Sequence, residues 1–110
     1  MRLGSRSGGR ALVVYLRIPA GEVPAGEPAV AGVVVGKKQV RHAVDRNRVK
    51  RRLRHLLADV LPTLPPGSRL VVRGLGPAAS MTSTELRAAL DRSLAAARRK
   101  QAATPGRGEA

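Results

Sequence analysis

One segment of the chain carries most of the side chains that could bind a ligand through charge. Nine of the eighteen residues from 37 to 54 are basic, and Asp45 is the only acidic residue among them. The basic residues are Lys37, Lys38, Arg41, Arg46, Arg48, Lys50, Arg51, Arg52 and Arg54. Arginine presents a planar fork of donors that matches the oxygens of a phosphate group. The segment therefore predicts contact with the phosphates of a polyanion.

The same segment contains an apolar stripe at helical spacing. Its members are Val49, Leu53, Leu56, Leu57 and Val60. This spacing predicts a helix from about Ala43 to Leu61 with one docked face. Most of the arginines fall on the other faces, whereas Arg46 lies near the edge of the stripe and could fold back toward a sheet. Asn47 could hydrogen-bond a base edge or a ribose. A merely solvated face usually mixes charges to gain i,i+4 ion pairs, so this run of like charges favours nucleic-acid binding.

Tyr15 is the only aromatic residue of the chain. It falls in an apolar run from Arg10 to Ile18 that reads as a strand, where it shares a face with Val13 and Arg17. An aromatic ring beside an arginine on a sheet face can stack on an unpaired base. A tyrosine that only fills the core is an equally good interpretation of the spacing alone.

Composition and charge exclude several classes of protein. The chain has 110 residues, a net charge of +14 and no cysteine, so disulfide scaffolds and thiolate chemistry are excluded. No apolar run reaches the length of about 18 residues that a membrane span needs, and the N-terminal apolar run is too short for a secretory signal. We therefore expect a cytoplasmic protein that binds nucleic acid and no membrane.

No catalytic constellation of protein side chains is visible. The seven acidic residues are scattered, and His42 and His55 are thirteen positions apart on a basic helix, which suits neither metal binding nor nucleophile activation. The run from Gly32 to Lys38 resembles a phosphate-binding loop but is one spacer residue short and ends in lysine instead of serine or threonine.

The remaining pattern predicts one α+β domain over residues 1–100, with a flexible tail over 101–110. Strands are expected near the N-terminus, at Arg10–Ile18, at Val30–Lys37 and at Arg69–Arg73, with a Pro/Gly-rich connector over 19–31. A second helix is expected to begin near Thr82, where Glu85 three residues later would complete a capping box. The order βββαβα makes the basic helix a crossover between two strands of one sheet.

The basic segment strongly resembles the signature of the bacterial ribonuclease P protein component. The residues that carry the resemblance are Lys37-Lys38 and the run Ala43-Val44-Asp45-Arg46-Asn47-Arg48-Val49-Lys50-Arg51-Arg52-Leu53-Arg54. A Gly-Val-Val-Val strand before them, a Leu-Val-Val-Arg strand after them and a final helix that begins Ser/Thr-x-Glu-Leu agree with the family. The resemblance covers about residues 2–100.

The resemblance implies a fold and a function. The fold is a small, mostly antiparallel sheet flanked by helices, like the second domain of ribosomal protein S5, with a left-handed strand-helix-strand crossover. The function is to bind a catalytic RNA and the 5′ leader of precursor tRNA, while the RNA and Mg2+ ions hydrolyse the phosphodiester. By position, the residues that meet the catalytic RNA are Arg46, Asn47, Arg48, Lys50, Arg51 and Arg54. Those that line the leader cleft are Tyr15, Arg17, Lys37 and Lys38.

The sequence departs from the family at its first residues. Members begin with an Arg-rich segment and a short Phe-containing helix, placed before the Arg-x-Gly that corresponds to Arg2-Leu3-Gly4. That helix forms one wall of the leader cleft, so we expect the wall to be missing here while the face for the catalytic RNA is kept.

Three other functions compete with this one. A small ribosomal or other structural RNA-binding protein would bind RNA without promoting cleavage. A DNA-binding helix protein is disfavoured because the start is rich in strands and no helix-turn-helix pair is present. A protein nuclease is disfavoured because there are too few carboxylates to hold metal ions.

Overall fold

A computed structural model describes residues 5–19 and 26–103 of the chain. The elements, in chain order, are strands β1 (Ser5–Gly8), β2 (Leu12–Arg17) and β3 (Val30–Val35), helix α1 (Ala43–Val60), strand β4 (Arg69–Gly74) and helix α2 (Ser83–Ala103). Two short 3-10 helices, Leu61–Thr63 and Gly76–Ser80, follow α1 and β4. The predicted order βββαβα is confirmed. The expectations for Arg2-Leu3-Gly4, for residues 20–25 of the Pro/Gly-rich connector and for residues 104–110 of the tail lie outside the described residues.

The four strands form one mixed sheet in the order β1-β2-β4-β3. β2 pairs antiparallel with both β1 and β4, whereas β3 and β4 are parallel. Two parallel neighbouring strands need a long connection that brings the chain back to the end of the sheet at which the first strand began. Helix α1 lies in that connection. The prediction of a mostly antiparallel sheet with a strand-helix-strand crossover is confirmed in these pairings.

Both helices pack on the same face of the sheet. Alternate residues of the central strands, such as Leu12, Leu16 and Leu70, point into a core shared with the apolar stripes of α1 and α2. The buried cluster is entirely aliphatic. In α1 the buried residues are the five that the sequence pattern predicted: Val49, Leu53, Leu56, Leu57 and Val60. This one-sided packing leaves the second face of the sheet without a helix from the described part of the chain.

Gly74 lets α1 approach the sheet closely. A Cβ atom at this position would lie 3.1 Å from Cγ2 of Val35 and 3.3 Å from Cγ1 of Val49. Both distances are shorter than ordinary van der Waals contact between carbon atoms. Glycine at the end of β4 therefore sets how near the first turns of the basic helix lie to the sheet.

The second helix is held at both ends. At its start, the backbone N–H of Thr82 donates to Oε1 of Glu85, and the N–H of Glu85 donates to Oγ1 of Thr82, which confirms the capping box. Near its other end, Oε1 of Gln101 accepts a hydrogen bond from the backbone N–H of Ile18 at 3.0 Å. Because of that anchor the helix continues to Ala103, three residues into the segment expected to be a tail. In the described part of the chain, neither helix is long and apolar enough to cross a membrane.

Candidate nucleic-acid interface

The outer face of α1 is the most basic surface that the sequence analysis singled out. The docked stripe leaves Asn47, Arg51 and Arg54 exposed and Lys50 half-buried. Among the described residues, these four side chains make no hydrogen bond or ion pair with another protein group. We call these four residues the α1 outer face. They are placed to meet an anionic ligand without first breaking an internal contact.

Arg46 is turned inward, toward the start of its own helix. Its Nη1 donates to the backbone oxygens of Val40 and Arg41, both at 2.9 Å. Arg46 thereby holds the turn that leads into the helix, whose N-cap residue, His42, makes no side-chain cap hydrogen bond. From the sequence, Arg46 was expected near the edge of the stripe and able to fold back toward a sheet, whereas its guanidinium lies on the 40–41 turn.

Arg48 and Arg52 connect α1 to a neighbouring segment that sequence reasoning did not single out. Nη2 of Arg48 donates to the backbone oxygen of Ala79 at 3.1 Å, and Nη1 of Arg52 donates to that of Met81 at 2.9 Å. We call the 3-10 helix Gly76–Ser80 together with Met81 the 76–81 segment. The two arginines thus fix this segment against the basic helix.

The carboxylate of Asp45 forms an ion pair with Arg48. Its Oδ1 accepts from Nη2 of Arg48 at 2.9 Å, and both side chains are about one-third exposed. Such a pair contributes little to stability in water. Its effect is to neutralise the one negative charge of the basic segment. The charged members of the α1 outer face are all positive.

The open sheet face carries the aromatic residue and a row of arginines. In the β2–β4 pairing, Tyr15 lies opposite Val71 and Arg17 lies opposite Arg69. Directly paired residues share a face, so Tyr15, Arg17 and Arg69 lie together on the side that faces away from the helices. Tyr15 is half-buried, and Arg17 and Arg69 are exposed. The structure therefore brings Tyr15 and Arg17 together, as predicted from the two-residue period.

Sequence reasoning missed two arginines on this face. Arg69 and Arg73 are exposed at the two ends of β4, and the register places Arg73 between Val13 of β2 and Val34 of β3. The signal was present, because residues 69, 71 and 73 of a strand must share a face. Val30 and Val34 add apolar surface and are 50% and 48% exposed.

Lys37 and Lys38 lie at the other end of the sheet from Arg17. They occupy the turn that follows β3, where the strand ends beside Gly74 and Leu12, and both are exposed. Arg17 lies in the row of Arg69 and Val30, five residues away along the strands. At about 3.3 Å per residue, roughly 17 Å separates the row of Arg17 from the row at which β3 ends, just before the two lysines. A ligand that touches both must be extended along the open face.

The described residues place no three His, Asp or Glu side chains where they could hold one metal ion. Among the described carboxylates, Glu85 caps a helix, and Asp45 and Asp59 pair with arginines. The arrangement suits binding of an extended polyanion by charge and stacking.

Comparison with known proteins gives a consistent result. The family model for ribonuclease P matches residues 1–98. The ribonuclease P protein component of Nocardioides sp. is 47% identical over 94 residues, which cover 86% of this chain and 78% of that protein. That of Streptomyces bikiniensis is 49% identical over 98 residues, with coverage of 86% and 79%. The solved structure of the Staphylococcus aureus RNase P protein superposes with a TM-score of 0.68 at 27% identity, covering 87% of this chain and 83% of that one.

Proposed function

This chain belongs to the ribonuclease P protein family, and we propose that its α1 outer face binds the catalytic RNA of that enzyme while its open sheet face receives the 5′ leader of precursor tRNA. Membership makes the protein a subunit of a ribonucleoprotein that processes tRNA. The proposal concerns which surfaces and which residues perform that role.

The observation that carries the proposal is the α1 outer face. Lys50, Arg51 and Arg54 extend from a helix whose opposite face is buried, and Asp45, the acid of the basic segment, is engaged by Arg48. Binding to RNA phosphates releases condensed counterions, so each neutralised phosphate steepens the decrease of affinity with salt by about 0.7–0.9 logarithmic units. Asn47 is the polar, uncharged member of the face and can bond a base edge or a ribose hydroxyl.

Two arginines of the signature also make contacts within the protein. Arg46 and Arg48 are expected by resemblance to meet the catalytic RNA, and in the free protein they hold the 40–41 turn and the 76–81 segment. An arginine has five donors, so each can keep its internal bond and still offer N–H groups outward. Their main contribution is to fix the shape of the surface that the α1 outer face presents.

The open sheet face supports the leader part of the proposal. It offers Tyr15 for stacking, Arg17 and Arg69 at one end and Lys37 and Lys38 at the other. Single-stranded RNA is bound by such a combination of aromatic and basic side chains with little dependence on sequence. The spacing of the two charged ends fits an extended strand that runs along the face.

The proposal assigns the chemistry to the RNA. The described residues include no group of three His, Asp or Glu side chains that fits the Mg2+ ions of the reaction. The ions are therefore assigned to the catalytic RNA, and the protein binds and orients both RNA partners. The proposal places this activity in the cytoplasm, together with precursor tRNA.

The test is multiple-turnover cleavage of a leader-bearing precursor tRNA by the cognate catalytic RNA at low magnesium concentration. Adding the protein should stimulate cleavage, and Arg51→Ala combined with Arg54→Ala should abolish most of that stimulation. Arg99→Ala, an exposed arginine near the end of α2, is the matched control for loss of charge. RNA binding without stimulation would instead favour a structural RNA-binding protein.

A further inference from the structure

A cavity of about 520 Å³ lies on the helix side of the sheet, and none of its lining residues belongs to the α1 outer face. Its walls come from the turn between β1 and β2, from the 76–81 segment and from α2. The cavity is mixed in character, with the apolar side chains of Leu12, Met81 and Ala96 and the basic side chains of Arg10 and Arg92. Its size is within the range of cavities that bind small organic ligands.

One polar group inside this cavity has no partner. Ser93 lines the cavity and is 8% exposed, and its hydroxyl makes no hydrogen bond with another group in the described part of the chain. Oγ of Ser93 is therefore open to the cavity and available to a ligand with a donor or an acceptor. Oγ of Ser93 faces the turn of β1 and β2, 3.9 Å from where a Cβ atom of Gly9 would lie. Glycine at this position keeps the space in front of the hydroxyl open.

The charges at the cavity select an anion. Arg10 and Arg92 are exposed residues that line it, and no acidic residue is found among the described residues of its lining. Asp91, the acid next to Arg92 in sequence, lies 3.9 Å from Nε of Arg87 and is not among the lining residues. A ligand that suits this site has an apolar or flat body, a hydrogen-bonding edge and a negatively charged group. A nucleoside phosphate has all three.

The cavity also adjoins the proposed RNA surface. Pro77 and Met81 line it from the 76–81 segment, and Arg48 and Arg52 hold the same segment from α1. A single short segment therefore separates the basic helix from the cavity. RNA that docks on α1 would lie beside the segment that forms one wall of the cavity.

We propose that this cavity, which we call the Ser93 pocket, binds one unstacked nucleotide of the RNA that docks on α1. The inference rests on the proposed function and adds a second contact to it. In this arrangement the base lies on the aliphatic floor, the Ser93 hydroxyl bonds its edge, and Arg10 and Arg92 bind the adjoining phosphates. Guanidinium planes also stack on unpaired bases, which gives Arg92 a second way to contact the nucleotide.

The test compares variants that change the pocket by different means. Ala96→Leu reduces the space without changing charge, and leucine is a good helix former, so α2 is kept. Arg92→Ala removes a charge from the rim, and Ser93→Ala removes only the hydroxyl. The matched controls on the same helix are Ala88→Leu and Arg99→Ala, neither of which lines the pocket. Thermal unfolding followed by circular dichroism establishes that each variant is folded. If Ala96→Leu does not fold, Arg92→Ala and Ser93→Ala provide the test.

Binding of the catalytic RNA should weaken at least about fivefold in Ala96→Leu relative to Ala88→Leu, the lower end of what one base contact contributes. The salt dependence should stay unchanged in Ala96→Leu and become shallower in Arg92→Ala, because only the second variant loses a phosphate contact. Crosslinking from 4-thiouridine placed in the RNA should label peptides that contain Gly9 or Ser93. Equal affinities for Ala96→Leu and Ala88→Leu would overturn the proposal.

Free nucleotides separate this result from a failure of the proposed function. Adding adenosine and uridine monophosphates to the wild-type protein should shift the backbone amide resonances of Gly9 and Ser93, and Ala96→Leu should suppress the shifts. If the wild-type protein bound no catalytic RNA while these shifts occurred, the proposed function would fail and the pocket would be a site for free nucleotides. If neither RNA nor mononucleotides bound, both proposals would be wrong.

Discussion

The arginines of the basic segment should separate into two groups when each is replaced by alanine. Arg46 makes two hydrogen bonds from a charged donor to backbone oxygens, one of them on the buried residue Val40. Bonds of this type contribute about 1.5–3 kcal/mol each when they are desolvated, and these are only partly so. We therefore expect Arg46→Ala to lower the free energy of unfolding by about 1–3 kcal/mol. Arg51 is exposed and makes no such bond, so Arg51→Ala should change the free energy of unfolding by less than about 0.5 kcal/mol.

RNA binding should respond in the opposite order. Arg51→Ala removes a charge aimed at the phosphates, so the slope of affinity against salt should become shallower by about 0.7–0.9. Arg46→Ala should change this slope less, since the guanidinium is directed at the 40–41 turn. Arg46→Lys is the control that keeps the charge while changing the geometry of the donors.

Two assays decide between these expectations. Unfolding in urea should be followed by far-ultraviolet circular dichroism, because the chain has one tyrosine and no tryptophan to report by fluorescence. Filter binding of the catalytic RNA over a range of salt concentrations gives the slope. The reasoning is refuted if Arg46→Ala unfolds at the same urea concentration as the wild type and flattens the salt slope as much as Arg51→Ala does.

Three further outcomes follow from the structure. Tyr15→Ala should weaken binding of precursor tRNA more than binding of mature tRNA in the holoenzyme, and equal losses on both would remove the open face from leader binding. Gly74→Ala should lower the free energy of unfolding by about 1–3 kcal/mol, because the added methyl group meets Val35 and Val49 at the contact between α1 and the sheet; an unchanged urea midpoint would show that α1 can move away without cost. Thr82→Ala should cost about 1 kcal/mol through loss of the cap of α2, measured in the same urea titration, with Thr84→Ala in the first turn as the control.

Much of the fold follows from patterns that one element carries by itself. The stripe from Val49 to Val60 predicted both the existence of α1 and its docked face, since a helix with one apolar face has one way to bury it. The capping box at Thr82 and Glu85 predicted the start of α2 equally well. The ends of the strands were predicted less accurately. Strand β3 ends at Val35 and not at Lys37, because the chain turns after Gly36 and no described strand pairs with Lys37.

The site was only partly predictable because its residues come from elements that are distant in sequence. The alternation of β2 placed Tyr15 beside Arg17, but the register with β4 that adds Arg69 and Arg73 depends on the sheet order. The contacts of Arg48 and Arg52 with the 76–81 segment span about thirty residues, and no local pattern reports such contacts. Charge type alone could not tell these arginines from Arg51, although their surroundings differ.

Strand β3 has a consequence for how this protein behaves when it is not bound to RNA. It is an edge of the sheet, it contains no charged residue, and Val30 and Val34 are exposed on it. An uncharged, apolar edge of this kind invites another strand to pair with it, and flanking lysines are a common protection against aggregation. Lys37 and Lys38 at its end, together with the net charge of +14, keep copies of the chain apart by repulsion. That protection is electrostatic and has a range of only about 10 Å at 0.1 M salt, so the salt that releases RNA also allows these edges to approach one another.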